Sequence, residues 1–209
     1  MKFNNILAIG AHPDDIEYGC LGFLKKQSSK GAFIHIHVLS LGSLGDSSAN
    51  VGRISETRNG LAVLQPASFN VREEIGINET DFHDLLKEIE STIDRTNPDL
   101  ILVHGPNDTH QQHIHVHRMV MAAARRRKIS VLQYAIVSND LNFRPNFFVE
   151  LTPDEIELKI EQLGHHISQR DKFYMQSDYI KKFHQRPYTL IHDMEYCEAF
   201  ETNRIILSA

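Results

Sequence analysis

Ile6-Leu7-Ala8-Ile9-Gly10-Ala11-His12-Pro13-Asp14-Asp15 joins a short apolar run to a polar turn, and the fold can be read outward from it. The apolar half reads as a buried strand. The turn holds a proline and two carboxylates, and a helical pattern follows over about residues 16–29, closed by Gly31. The same arrangement returns at Leu100-Ile101-Leu102-Val103, which runs directly into His104-Gly105-Pro106-Asn107-Asp108 and then a helix over about residues 111–126. Between the two lie a β-rich stretch at 33–39, a Gly/Ser/Asp loop at 41–51, a helix over about 53–64 stopped by Pro66, and a short strand at 70–75. A helix over about 81–95 carries Leu85, Leu86, Ile89 and Ile93 at helical spacing. Beyond residue 126 the pattern predicts a strand at 131–137, helices at 153–170 and on to 184, and strand-like ends near Tyr188 and Ile205.

Strands alternating with helices predict an α/β fold with a mainly parallel sheet. No repeat, low-complexity tract or long linker divides the chain, so residues 1–209 are expected to form one domain. In open α/β sheets, ligands bind outside the carboxyl ends of the strands, near a switch point. Both polar loops, at His12 and at His104–His113, follow apolar strands and are expected on that edge, where residues about 100 positions apart would meet.

Composition bounds the rest. The chain has 209 residues, 41% hydrophobic and 23% charged, ordinary for a globular protein and enough for a core that needs no disulfide or metal merely to fold. A net charge of −5 argues against nucleic acid as a partner. The one basic cluster, Arg125-Arg126-Arg127-Lys128, reads as the cationic end of a helix. No apolar stretch is long enough for a membrane span, and the N-terminus does not read as a signal peptide. Cys20 and Cys197 lack CxxC spacing, which fits buried thiols and a cytoplasmic location. The unusual figure is 13 histidines, five of them (His104, His110, His113, His115, His117) in one short segment.

His12-Pro13-Asp14-Asp15 places an imidazole and two carboxylates within four residues of a strand end. Zn²⁺ takes two histidines and one carboxylate and leaves a position for water. His12 and Asp15 can be aimed at one point by a tight turn, with a histidine of the second loop completing the set. Asp14, the remaining carboxylate, is placed to act as general base. The bland alternative is that Asp14 or Asp15 simply caps the following helix. On a helix starting near Gln111, His110, His113 and His117 share a face while His115 points away, so spacing leaves His113 and His117 tied as the ligand. His104 reads as a structural or supporting residue, and His35 and His37 as packing or edge residues of a strand.

Ala11-His12-Pro13-Asp14-Asp15-Ile16-Glu17 resembles the AHPDD(E) signature of the LmbE-like (PIG-L) zinc-dependent de-N-acetylases. Asn107-Asp108-Thr109-His110-Gln111-Gln112-His113 is similar to that family's second motif, roughly D-x-H-x-D-H. Arg53-Ile54-Ser55-Glu56 looks like its R-x-x-E helix, and Glu198-Ala199-Phe200 like its closing segment. The resemblance implies a Rossmann-like three-layer sandwich with a mainly parallel sheet. It implies His12, Asp15 and His113 as metal ligands, favouring His113 over His117, with Asp14 as general base. His110 would, when protonated, stabilise the tetrahedral oxyanion or protonate the leaving amine, and Arg53 would bind substrate. The cofactor would be Zn²⁺, with Fe²⁺ suited to the same set. The reaction would remove the N-acetyl group from an N-acetylglucosamine-type sugar or its conjugate. Relatives often form homo-oligomers.

Two departures from the family pattern bear on this. Gln112 stands where the family commonly has an acid, which would give a protonated His110 less support. The 41–51 loop is Gly/Ser-rich, without the acidic and basic pattern of relatives. The rivals are the same site acting on another acyl group or a non-sugar amide, and a non-catalytic metal-binding α/β domain. A dinucleotide-binding domain is disfavoured because no G-x-G-x-x-G follows the first strand.

Overall fold

A computed structural model describes residues 1–42, 47–73, 76–77, 82–185 and 193–206. Its strands are β1 (Asn5–Gly10), β2 (Phe33–Val38), β3 (Ser68–Val71), β4 (Leu100–His104), β5 (Ser130–Tyr134), β6 (Phe147–Leu151) and β7 (Tyr196–Arg204). Its helices are α1 (Asp15–Ser29), α2 (Ser47–Gly60), α3 (Phe82–Thr96), α4 (Gln111–Ala124), α5 (Pro153–Leu163) and α6 (Ser177–His184). The seven strands form one sheet in the order β3-β2-β1-β4-β5-β7-β6. β1 to β5 run parallel, while β7 is antiparallel to both β5 and β6.

The apolar run of β1 exists because both of its faces are covered. Ile6 and Ala8 pack with Ile16, Leu21 and Leu24 of α1, while Leu7 and Ile9 pack with Leu85 and Ile89 of α3 and Val116 and Val120 of α4. Alternate side chains of one strand therefore feed two cores, one on each side of the sheet. This gives the three layers expected. From β1 the chain proceeds to β2 and β3 on one side and to β4 and β5 on the other. The switch point lies between β1 and β4, so the loops that leave those two strands face each other across it.

Where the elements depart from the sequence reading, long-range contacts explain it. α2 starts at Ser47, inside the expected 41–51 loop, and gives way after Gly60 to a 3₁₀ turn, Ala62–Leu64, that buries Leu61 and Leu64. A Cβ at Gly60 would meet Glu17 Oε1 at 3.0 Å and the Gln162 carbonyl at 3.1 Å, so any side chain there would crowd these neighbours. β5 ends at Tyr134, where its phenol bonds the Ile9 carbonyl at 2.8 Å. α5 opens with a capping box between Thr152 and Glu155, with Pro153 in the first turn, and stops at Leu163 before Gly164. β6 has no counterpart in the sequence reading; it is a half-buried edge strand that exists by pairing with β7. The strand read at 70–75 is Ser68–Val71, with residues 74–75 outside the described residues. The one near Tyr188 also lies outside them.

α1 is broken at Cys20, whose backbone (φ −150°, ψ 17°) leaves the helical region. The amides freed by the break, Gly22 N–H and Phe23 N–H, donate to the two oxygens of Glu198 on β7 at 2.7 and 2.6 Å. Lys159 of α5 completes the junction, 2.7 Å from Glu198, with both side chains fully buried.

Candidate metal centre

The turn after β1 is shaped by its own hydrogen bonds. His12 N–H donates to Asp15 Oδ2 at 2.8 Å, and Ala11 N–H reaches His104 Nε2 at 3.2 Å. Asp14 sits at the N-cap of α1 with φ 103°, a left-handed conformation that few non-glycine residues adopt, yet its side chain makes no capping bond. The capping alternative therefore does not account for this carboxylate. Arg53, on the helix α2, is buried beneath the turn. Its Nη1 donates to the Leu41 carbonyl, its Nη2 donates to the Pro13 carbonyl at 2.9 Å, and Nη2 lies 4.0 Å from Asp14 Oδ2.

The loop after β4 supplies the other side. His113, in the first turn of α4, is held through Nδ1 by Asp108 Oδ2 at 2.9 Å and Ser138 Oγ at 3.1 Å. Its Nε2 therefore faces Asp15 Oδ1 at 3.6 Å. His12 Nδ1 lies 3.6 Å from Asp15 Oδ2. His117 is directed elsewhere: its Nδ1 bonds the His104 carbonyl at 2.9 Å. Two overlapping donor groups result, His12/His110/His113 and Asp15/His104/His113, with the donor atoms of each within 4.8 Å of one another. The three residues expected as ligands straddle these groups, and His113 belongs to both.

These residues fit a divalent cation. Donors ~2.1 Å from a tetrahedral ion sit ~3.4 Å apart; His113 Nε2 lies 3.6 Å from Asp15 Oδ1, while His12 Nδ1 lies 3.6 Å from the other oxygen of Asp15, Oδ2. His113 Nε2 is buried and has no hydrogen-bond partner among the described residues, a costly condition that an ion would relieve. Supporting partners are in place as well, since metal-binding histidines commonly give their second nitrogen to a carboxylate. Asp108 does this for His113, and His104 Nε2 lies 3.0 Å from Asp15 Oδ2.

Electrostatics separate the two adjacent acids. Burial, and then the nearby Asp15, push Asp14 up to about 7. Asp15 is equally buried, but His113, His104 and His12 outweigh that and hold its carboxyl well below the usual range. Burial lowers His12 to about 3 and His104 to about 4, keeping their nitrogen lone pairs available. Burial and His113 also lower His110. Its Nδ1 accepts from Gln112 N–H at 3.3 Å, which leaves Nε2 to carry the hydrogen. The Gln112 side-chain oxygen bonds His12 Nε2 at 2.5 Å, so it is His12 and not His110 that this carboxamide accepts from.

A cleft of about 220 Å³ opens over this set. Its lining includes His12, Asp14, Asp15, His110 and His113, together with Arg53 and Gly42. Ile136, Val137, Gln169, Lys172 and Tyr174 complete it from later in the chain. All six residues singled out in the sequence thus meet at one cleft. Asp108 and Ser138 were not singled out, nor were the lining residues from 136–138 and 169–174. For Asp108 a signal existed, an acid in the polar loop five residues before His113; for residues 136–138 and 169–174 none did, since only the chain path brings them here.

Comparison with known proteins agrees with this geometry. Residues 7–124 match the PIG-L family model, described as GlcNAc-PI de-N-acetylase. A curated Escherichia coli K12 protein described as the uncharacterized deacetylase YaiS is 31% identical over 178 residues, covering 80% of this chain and 92% of the relative. The fold is shared with N,N'-diacetylchitobiose deacetylase from Pyrococcus horikoshii (TM-score 0.80, 18% identity, 96% of this chain and 84% of the other). It is shared equally with GalB, the 4-carboxy-2-hydroxymuconate hydratase from Pseudomonas putida KT2440 (TM-score 0.78, 15% identity, 99% and 98%). One fold therefore carries different reactions, and it is the sequence match spanning both loops of the cleft that assigns kinship. On that match, the chain belongs to the PIG-L family of de-N-acetylases.

Proposed function

We propose that this protein is a Zn²⁺-dependent hydrolase that removes the N-acetyl group from an N-acetylglucosamine-type amino sugar or its conjugate, with Fe²⁺ suited to the same ligands. The observation that carries the reading is Asp14, a buried carboxylate beside the donor set, spent on neither helix capping nor a strong ion pair. His12, Asp15 and His113 would hold the ion. When bound, the ion supplies Lewis acidity that polarises the amide carbonyl and lowers the pKa of water toward ~7.

Asp14 takes the proton from the attacking water, a role suited to a carboxyl pushed up to about 7. The water oxygen bonds to the carbonyl carbon, the C–N bond breaks, and the proton leaves with the amine. His110, neutral and with hydrogen on Nε2, donates a hydrogen bond to the developing oxyanion. Arg53 holds the Pro13 turn and, as a lining residue of the cleft, keeps further N–H groups for the substrate. A sugar substrate is supported by the family's own description and by the chitobiose deacetylase that shares the fold.

The test is a panel of N-acetyl, N-formyl and N-propionyl glucosamine with N-acetyl amino acids, given to zinc-loaded protein and read by amine release. N-acetyl sugars should be preferred. Asp14→Asn should lower kcat about 10²- to 10⁴-fold while zinc content stays at the wild-type level. Full turnover by Asp14→Asn, or preference for a non-sugar amide, overturns the reading.

A further inference from the structure

Each of the three ligands proposed above is steadied by at least one residue outside the set. Asp108 holds His113 through Nδ1, and His104 lies against Asp15 Oδ2. For His12 the partner is Gln112, 100 positions away in sequence, whose carboxamide oxygen is 2.5 Å from Nε2. That oxygen can only accept, so Nε2 carries the hydrogen and Nδ1 keeps its lone pair. Nδ1 is also the nitrogen that faces Asp15, 3.6 Å from Oδ2. His12 is anchored on its other side by its backbone N–H to Asp15 Oδ2 at 2.8 Å. The hydrogen bond that His12 Nε2 donates to Gln112 thus sets the tautomer and restrains the ring orientation.

The same residue acts twice. Gln112 lies in the first turn of α4, where its backbone N–H donates to His110 Nδ1 and its side chain accepts from His12. A side-chain substitution removes the second contact and leaves the first. We propose that Gln112 is a positioning residue of the metal centre, whose amide oxygen sets His12 as the Nε2–H tautomer with Nδ1 aimed at the ion. Because glutamine is neutral, it orients the imidazole without adding negative charge. A carboxylate at this place would make the same bond and also raise the basicity of His12 as a ligand.

This inference rests on the metal-centre reading, and zinc affinity separates the two. Metal-free wild-type protein, Gln112→Met and Gln112→Glu are titrated with Zn²⁺ against a chromophoric chelator, and each metal-free protein is also melted. The methionine variant, similar in size but with no oxygen, should bind Zn²⁺ about 10- to 100-fold more weakly. The glutamate variant should bind at least as tightly as wild type, and the three metal-free proteins should melt together. Wild-type affinity in Gln112→Met overturns the proposal. So does an equal loss in both variants, which would mean a packing role and no acceptor role. A wild-type protein that takes up no zinc overturns the metal-centre reading together with it.

Discussion

At the scale of single residues, the centre depends on which nitrogen of each histidine is left free. His113 gives Nδ1 to Asp108 and keeps Nε2, whereas His117 gives its Nδ1 to the His104 carbonyl and belongs to neither donor group. His113→Ala should therefore abolish zinc uptake measured by atomic absorption, while His117→Ala should keep it and lose about 0.5–1.5 kcal/mol of stability. Loss of zinc in His117→Ala alone would reverse the assignment. His166, at the edge of the site, offers a separate pH readout. Burial disfavours its charge, but Glu17, whose Oε1 is 3.0 Å away, and Asp14 outweigh that and raise it above 6.5. The raised folded value means the contribution is fully present below the unfolded pKa and is lost as pH rises through the folded one. Wild-type denaturation midpoints should fall as pH rises above about 6.5, and His166→Gln should flatten the slope. Parallel pH curves for the two proteins would refute this.

Among elements, α1 is the critical one, because it begins with two of the acids of the site and is interrupted at Cys20. The interruption follows from contact with β5 and β7. A Cβ at Gly19 would come within 2.3 Å of the Tyr134 ring, and Glu198 accepts the amides of Gly22 and Phe23 that the break releases. Glu198 is itself neutralised by Lys159, and neither side chain has water to fall back on. Removing one member of such a pair leaves a buried charge unmatched. Glu198→Ala should cost about 3–5 kcal/mol in urea denaturation. The double variant Glu198→Leu/Lys159→Met should recover part of that loss, since it strands no charge. If the double variant is no better than the single, the amides of α1 matter more than the ion pair.

For the molecule as a whole, the sheet carries two cores, one on each face, and β1 contributes to both. We propose that residues 1–209 behave as one domain. Near- and far-UV circular dichroism should then show coincident single transitions, with the midpoint rising with zinc, by about 2.7 kcal/mol of stability at a hundredfold excess over Kd. Two separate transitions would divide the chain. Much of this organisation was legible in the sequence. The runs at Ile6–Ile9 and Leu100–Val103 are apolar without alternation because parallel strands are covered on both sides, and a polar loop after each marks the sheet edge where a site can form. The residue set His12, Asp14, Asp15, His110 and His113 was readable because each lies in or next to those loops, and a local motif carries its own chemistry. What only the tertiary structure decided depends on contacts between distant segments. β6 is visible only through its pairing with β7, and the later part of the cleft lining only through the chain's return at residues 136–138 and 169–174. The division of labour among the histidines belongs to the same class. Spacing leaves His113 and His117 tied and only the family resemblance favours His113; the bond of His117 to the His104 carbonyl, and that of the Gln112 side chain to His12, have partners set by helix phase and strand order. Spacing along the chain records which residues share a face, but not which atom on the neighbouring element each one meets.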